Sequence, residues 1–237
     1  MKLFQLTPRL VFESNNKVYK FFKSNLECKE ELEKIKNLPV FEHYDDFSKH
    51  KMRIVEILSI YEDFYVMEYV EGVCLSNSNN IQDYILAGAW LKSFHNCTLN
   101  KNDNKAILFG DFVKSHLYID YKNKEITAID PGSGAAIFDE IEIDISRFLV
   151  NIFATKNIQI ILLNRIINKF FSGYGTDTLS FSKLDNQIKN RIFKNFTKTI
   201  NLGSGIKKYF NAYLSLVFSK INYLLIKKKL KNKLEKL

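Results

Sequence analysis

Apolar and polar positions alternate in short runs through the first seventy or so residues, then shift to helical spacing. LVFES and KVYKFF are β-rich runs joined by Asn15-Asn16, the pattern of a hairpin with a two-residue turn. SNLECKEELEKIKNLP follows, a charged helix capped by Ser24 or Asn25 and stopping before Pro39. Leu26, Ile35 and Leu38 give it a narrow apolar edge. RIVEILSIYED and FYVMEYV are two further strands, so this part predicts a small, mostly antiparallel sheet with one helix against it. After the turn-prone EGVCLSNSNN, Ile81, Tyr84, Ile85, Gly88, Leu91 and Phe94 recur at helix spacing up to His95. Short strands are predicted in ILFGDF, HLYID and EITAID, and the pattern is helical from about Glu140 onward. No internal repeat is visible. The class is α+β, divided near residues 72–80 into a strand-rich part, 1–72, and a helix-rich part, 73–237.

Composition narrows this picture only a little. A hydrophobic content of 46% over 237 residues supports a core and excludes disorder as the overall class. The net charge of +9 favours anionic partners. It carries little weight, because lysine is abundant throughout. Cys28, Cys74 and Cys97 are odd in number and form no CxxC pair, which argues against a disulfide framework and fits a reducing compartment. No Cys/His spacing suggests zinc. There is no run long enough for a signal peptide or a spanning helix, so the expected location is cytoplasmic. No aromatic-interleaved basic motif points to nucleic acid.

Candidate chemistry concentrates in residues 107–132. Asp111 follows a glycine after an apolar run, and Asp130 closes the run ITAI before Pro131-Gly132. The stretch between them suits a hairpin-like excursion that returns to its start. Two carboxylates at strand ends suit Mg²⁺, a hard cation usually shared with substrate phosphates. Each aspartate taken alone reads better as an ordinary turn residue, since aspartate is common in loops.

The order of motifs adds a resemblance. FGDFVKSHLYID followed by ITAIDPG resembles the catalytic stretch HGDxxxxN…IDxG of the aminoglycoside-phosphotransferase, kinase-like superfamily. VYKFF, FYVMEYVEG, GAWLKSFH, IEIDISRFL and FFSGYG resemble further landmarks in the family's order, over roughly residues 9–175. The resemblance implies a two-lobed protein-kinase-like fold and an ATP- and Mg²⁺-dependent kinase acting on a hydroxyl of a small molecule or sugar. It puts Lys20 on the nucleotide phosphates with Glu31 as its carboxylate partner, Glu27 and Glu30 being alternatives. The backbone of Glu68 to Val70 would meet the adenine edge, Asp111 would orient the acceptor hydroxyl and take its proton, and Asp130 would hold Mg²⁺. Asp144 would brace the catalytic loop.

The chain departs from this pattern in three places. His116 stands where the family has asparagine; it either ligates metal weakly, acts through water, hydrogen-bonds to Asp111 or simply packs. A histidine there also resembles the lipopolysaccharide core heptose kinases, and with the basic charge it tilts the expected acceptor toward a glycan. Phe109 replaces the family's leading histidine, a structural position. Only Thr7-Pro8 stands where a glycine-rich loop belongs, and no glycine precedes Gly72. That lack, with His116, supports the alternative of a nucleotide-binding pseudokinase or scaffold. Elsewhere, His95 is expected to end a helix and Trp90 to lie in the core. Gly173 and Tyr174 fit a helix-capping turn or the edge of an acceptor pocket. The lysine-rich C-terminal helix, with Lys227, Lys228, Lys229, Lys231, Lys233 and Lys236, either closes the helical part or rests peripherally on an anionic membrane.

Overall fold

The computed structural model describes residues 2–5, 10–45, 49–132, 134–155, 158–201 and 206–235. The Thr7-Pro8 segment and Lys236 lie outside the described residues. In chain order, β1 (Lys2–Gln5), β2 (Val11–Ser14) and β3 (Lys17–Phe21) precede helix α1 (Asn25–Lys36). Strands β4 (Glu42–Tyr44), β5 (Lys51–Ile54), β6 (Ile57–Ile60), β7 (Phe64–Glu68) and β8 (Val73–Cys74) follow, then helix α2 (Asp83–Asn96). Next come β9 (Lys105–Ile107), β10 (Leu117–Asp120), β11 (Glu125–Ala128) and β12 (Phe138–Glu140). Four helices complete the chain: α3 (Glu142–Phe153), α4 (Ile160–Tyr174), α5 (Phe181–Asn201) and α6 (Ile206–Leu234).

The first sheet is antiparallel, in the order β1-β2-β3-β7-β6. Asn15 and Asn16 both have φ near +55 to +60°, as a two-residue hairpin turn between right-twisted strands requires. Ser24 caps α1, its side chain accepting from Glu27 N at 3.3 Å, so serine and not Asn25 is the cap. The buried edge of α1 is Cys28 and Leu32 with Ile35 beside them, whereas Leu26 is 66% exposed. Leu26 is off the stripe because i, i+4 and i+7 from Cys28 select Leu32 and Ile35. Glu31 lies on the same stripe, while Glu27 and Glu30 point outward. Val18, Phe22, Cys28, Leu32, Val55, Tyr65 and Met67 form the core of this half.

RIVEILSIYED does not enter one sheet as expected; it crosses between two. Strand β5 pairs in parallel with β11 in a second sheet, β4-β5-β11-β10-β8, while β6 pairs with β7 in the first. The change of sheet falls at Val55-Glu56, where Val55 N bonds Ala128 O and Glu68 N bonds Glu56 O. The larger core gathers around aromatic rings. Trp90 lies 4.9 Å from Phe41, 5.3 Å from Phe109 and 5.5 Å from Phe112 between centroids. Phe109 is fully buried there, so at the position where the family has histidine it serves packing.

Helices α2 and α4 cross closely through a pair of glycines. A Cβ on Gly88 would lie 2.1 Å from Phe170 O, and one on Gly173 would lie 2.0 Å from Ile85 O. Gly173 is therefore a packing residue inside α4, and Gly175, at φ +84°, ends the helix. The last helix closes the helical half: Ala212, Tyr223, Ile226, Leu230 and Leu234 are buried, and Asn222 donates to Phe153 O at 2.8 Å. Lys228, Lys229 and Lys231 are exposed on its other side. Among the described residues, no helix is long and apolar enough to cross a membrane.

Candidate active site

Lys20 sits on β3 with the inward phase of a period-two strand, and only 4% of it is exposed. A buried ammonium needs carboxylate partners. Its Nζ donates to Glu31 Oε1 at 2.7 Å and also pairs with Asp130 Oδ1. Tyr65, opposite Lys20 in the strand register, donates its hydroxyl to Glu31 Oε1 at 2.8 Å. Glu31 is thus held from two sides.

The β10–β11 hairpin brings the second half of the site into place. Leu117 pairs with Ala128, and Ile129 N bonds His116 O at 2.8 Å, so His116 and Asp130 emerge side by side. Asp130 has φ +55°, a left-handed conformation costing about 1–3 kcal/mol for a non-glycine residue and concentrated at functional sites. His116 Nδ1 lies 3.0 Å from Asp111 O. A carbonyl only accepts, so Nδ1 carries a proton, and Nε2 faces Asp130 Oδ2 at 3.8 Å. Asp111, Asp130, His116, Lys20 and Glu31 therefore form one connected set.

Asp144 lies behind this set, fully buried on α3. It accepts from Phe109 N at 2.7 Å and Gly110 N at 3.0 Å, the two amides just before Asp111. His95 Nε2 and Arg147 Nη1 approach it at 3.3 Å each. A proton on Nε2 of His95 donates to the carboxylate, and Nδ1 lies 2.9 Å from the Tyr174 hydroxyl. Burial, with Glu142 and Asp144 nearby, pushes the Tyr174 pKa well up and keeps that hydroxyl a donor. His95 and Tyr174 are therefore more than a helix end and a cap: they extend the brace on the loop. Nothing in their local pattern marks them, since the partners lie 49 and 79 residues from His95.

A cavity of about 610 Å³ opens between the two sheets. Val18, Val55, Met67 and Ile129 give it apolar walls, and Lys20, His116 and Asp130 form a polar end. Such a volume and lining suit a small organic ligand with a charged tail. Glu68, Tyr69 and Val70 edge the cavity. The Glu68 side chain is turned to Arg53, which also holds Glu125 at 2.7 Å, while Trp90 Nε1 donates to Arg53 O at 3.2 Å. Arg53 thereby ties the end of β7 to β5, β11 and α2, a role the sequence reading did not assign. Among the described residues, no group of three or more His, Cys, Asp or Glu could hold a metal. Asp130 with His116 supplies two donors, enough for a Mg²⁺ ion whose other ligands are phosphate oxygens and water.

No family model matches the sequence, and no curated protein matches it. Solved structures match over nearly the whole chain. The microcompartment-associated aminopropanol kinase aligns at TM-score 0.62 and 11% identity, over 95% of this chain and 92% of its own. Amicoumacin kinase hAmiN, in complex with AMP-PNP, Ca²⁺ and Ami, aligns at 0.59 and 12%, over 93% and 88%. ADP-bound aminoglycoside phosphotransferase APH(2'')-Ib aligns at 0.54 and 11%, over 93% and 93%. At such identities it is the fold that is shared. The chain has the α+β, kinase-like fold of the aminoglycoside phosphotransferases and related small-molecule kinases.

Proposed function

We propose that this protein is a phosphotransferase that moves the γ-phosphoryl group of ATP, with Mg²⁺, to a hydroxyl of a small molecule or sugar. The observation that carries the reading is the polar end of the 610 Å³ cavity, where Lys20, anchored by Glu31, meets Asp130 and His116 with Asp111 attached through His116. Phosphoryl transfer asks for positioning and charge neutralisation more than covalent work. Lys20 would hold the α/β-phosphates. Asp130, with His116 Nε2, would hold Mg²⁺, which supplies charge neutralisation on the phosphates. Asp111 would orient the acceptor hydroxyl and take its proton as the oxygen bonds phosphorus and the ADP oxygen departs. The amides of Glu68 and Tyr69 already bond Glu56 O and Asn16 O. The base edge would therefore meet the Glu68 carbonyl and the Val70 backbone.

In this reading residues 1–72 chiefly bind the nucleotide and residues 73–237 carry the catalytic loop and the acceptor, in the cytoplasm. The test is thermal stability and turnover with Mg·ATP, with Mg·GTP alongside. Mg·ATP at a hundredfold excess over its Kd should add about 2.7 kcal/mol of stability, and Asp111→Ala should abolish slow hydrolysis while keeping that shift. Stabilisation without hydrolysis in the wild type would support a nucleotide-binding scaffold instead. Absence of both stabilisation and hydrolysis in the wild type would end the kinase reading.

A further inference from the structure

A second cavity, of about 160 Å³, shares no lining residue with the first and lies between Leu108, the segment 134–139, α3 and α5. Three cationic side chains line it, Arg147, Arg191 and Lys194, against one carboxylate, Asp139, whose Oδ1 already accepts from Glu140 N at 2.8 Å. Arg191 reaches from α5 to Asp111, Nη2 to Oδ1 at 3.9 Å, a separation too long for a hydrogen bond. Arg147 is tied to Asp144 through Nη1 only at 3.3 Å, and its buried Nε has no hydrogen-bond partner. Gly134 leaves the room Arg147 occupies, since a Cβ there would lie 2.6 Å from Nη2. Burial lowers the Arg191 pKa, and the Arg147 charge lowers it further, with Asp111 and Asp144 pulling the other way. Each guanidinium thus has one carboxylate at a single nitrogen, Asp144 for Arg147 and Asp111 for Arg191, while the buried Nε of Arg147 has no partner and Lys194 adds a third positive charge. Arginine pairs of this kind recognise planar or tetrahedral oxyanions through paired N–H donors.

We propose that this cavity receives an anionic group of the acceptor, a carboxylate or a phosphate, held by Arg191 with Arg147 and Lys194, so that the acceptor hydroxyl lies at Asp111. The proposal rests on the kinase reading and names its substrate class: a hydroxylated acid or phosphate ester. Polycationic acceptors are disfavoured, because three positive side chains surround the cavity.

The experiment is a titration of melting temperature with inorganic phosphate, and separately with acetate, at constant ionic strength set by chloride. The nucleotide site is filled beforehand with Mg·AMP-PNP. Phosphate or acetate should raise the melting temperature saturably beyond chloride. Arg191→Gln should weaken the apparent Kd about tenfold or more, the loss of one charge-assisted hydrogen bond. A response to phosphate alone assigns a phosphate ester, and a response to acetate alone assigns a carboxylate. No response to either anion, or an equal response in wild type and Arg191→Gln, overturns the proposal. Lys194→Gln, at an exposed position, gives the same decision by a smaller change should Arg191→Gln not fold. Absence of the Mg·AMP-PNP shift with the anion shift intact would count against the kinase reading and leave the anion site standing.

Discussion

Replacing Asp144 with asparagine keeps the size of the side chain and removes its charge and one acceptor oxygen. In the native site Oδ2 takes Phe109 N and His95 Nε2, and Oδ1 takes Gly110 N and Arg147 Nη1, all within 2.7–3.3 Å. An amide serves one of these pairs with its oxygen and turns N–H donors toward the other, so two donors meet a third. One buried unsatisfied donor costs about 1–3 kcal/mol. Arg147 loses its charge partner as well, and breaking a buried ion pair from one side costs roughly 3–5 kcal/mol. These contributions overlap, so the expected loss is about 3–5 kcal/mol, or roughly 6–20 °C in melting temperature for a protein of this size. Asp111 follows Gly110 directly, so the same change should loosen the loop that carries Asp111 and, on the proposed kinase function, lower Mg·ATP turnover about a hundredfold. Differential scanning fluorimetry and a coupled ADP assay on Asp144→Asn read both effects. A melting temperature within about 2 °C of wild type would refute the energetic reasoning, because it would mean the four donors find other acceptors.

Other expectations can be checked on the same material. His116→Asn replaces a ring nitrogen with an amide oxygen, a harder donor; turnover with Mg²⁺ should persist while the ratio of Mn²⁺- to Mg²⁺-supported turnover falls, and an unchanged ratio would place His116 outside the metal's coordination. Gly88→Ala drives a methyl to 2.1 Å from Phe170 O, so the α2–α4 crossing must open at a cost of about 1–3 kcal/mol; a melt indistinguishable from wild type would contradict that crossing. Burial pushes the Asp185 carboxyl up, but hydrogen bonds from Lys189, Tyr223 and Lys227 outweigh it and bring it down to about 2 from 3.8. A carboxyl lower in the folded state stabilises in full above the unfolded value and loses that contribution as pH falls from 3.8 toward 2. Melts across that interval should fall less steeply for Asp185→Asn, and equal slopes would remove Asp185 from the acid response.

Much of the architecture could be read locally, because local patterns encode local structure. The Asn15-Asn16 hairpin, the capped helix α1 and the period of α2 each depend on a few neighbouring residues. RIVEILSIYED misled because a strand sequence records its β character and not its partner; β5 and β6 part at Val55-Glu56 only because β11 is available to pair with β5. Spacing put Glu31 ahead of Glu27 and Glu30 without removing them, and the buried stripe through Cys28 and Leu32 is what turns Glu31 toward Lys20.

The sequence by itself determined the order of the landmarks: Lys20, then Glu68 to Val70, then Asp111, Asp130 and Asp144, set on or beside short elements whose patterns are local, although the run before Asp111 is a strand only as far as Ile107. Only the tertiary structure decided what those residues touch. It set His95 and Tyr174 behind Asp144, gave Arg53 the task of joining the two sheets, and brought Arg191 from α5 to Arg147 and Asp111. Those contacts span tens of residues along the chain. They exist because burying the aromatic core around Trp90 and the Gly88–Gly173 crossing leaves the helices one way to lie.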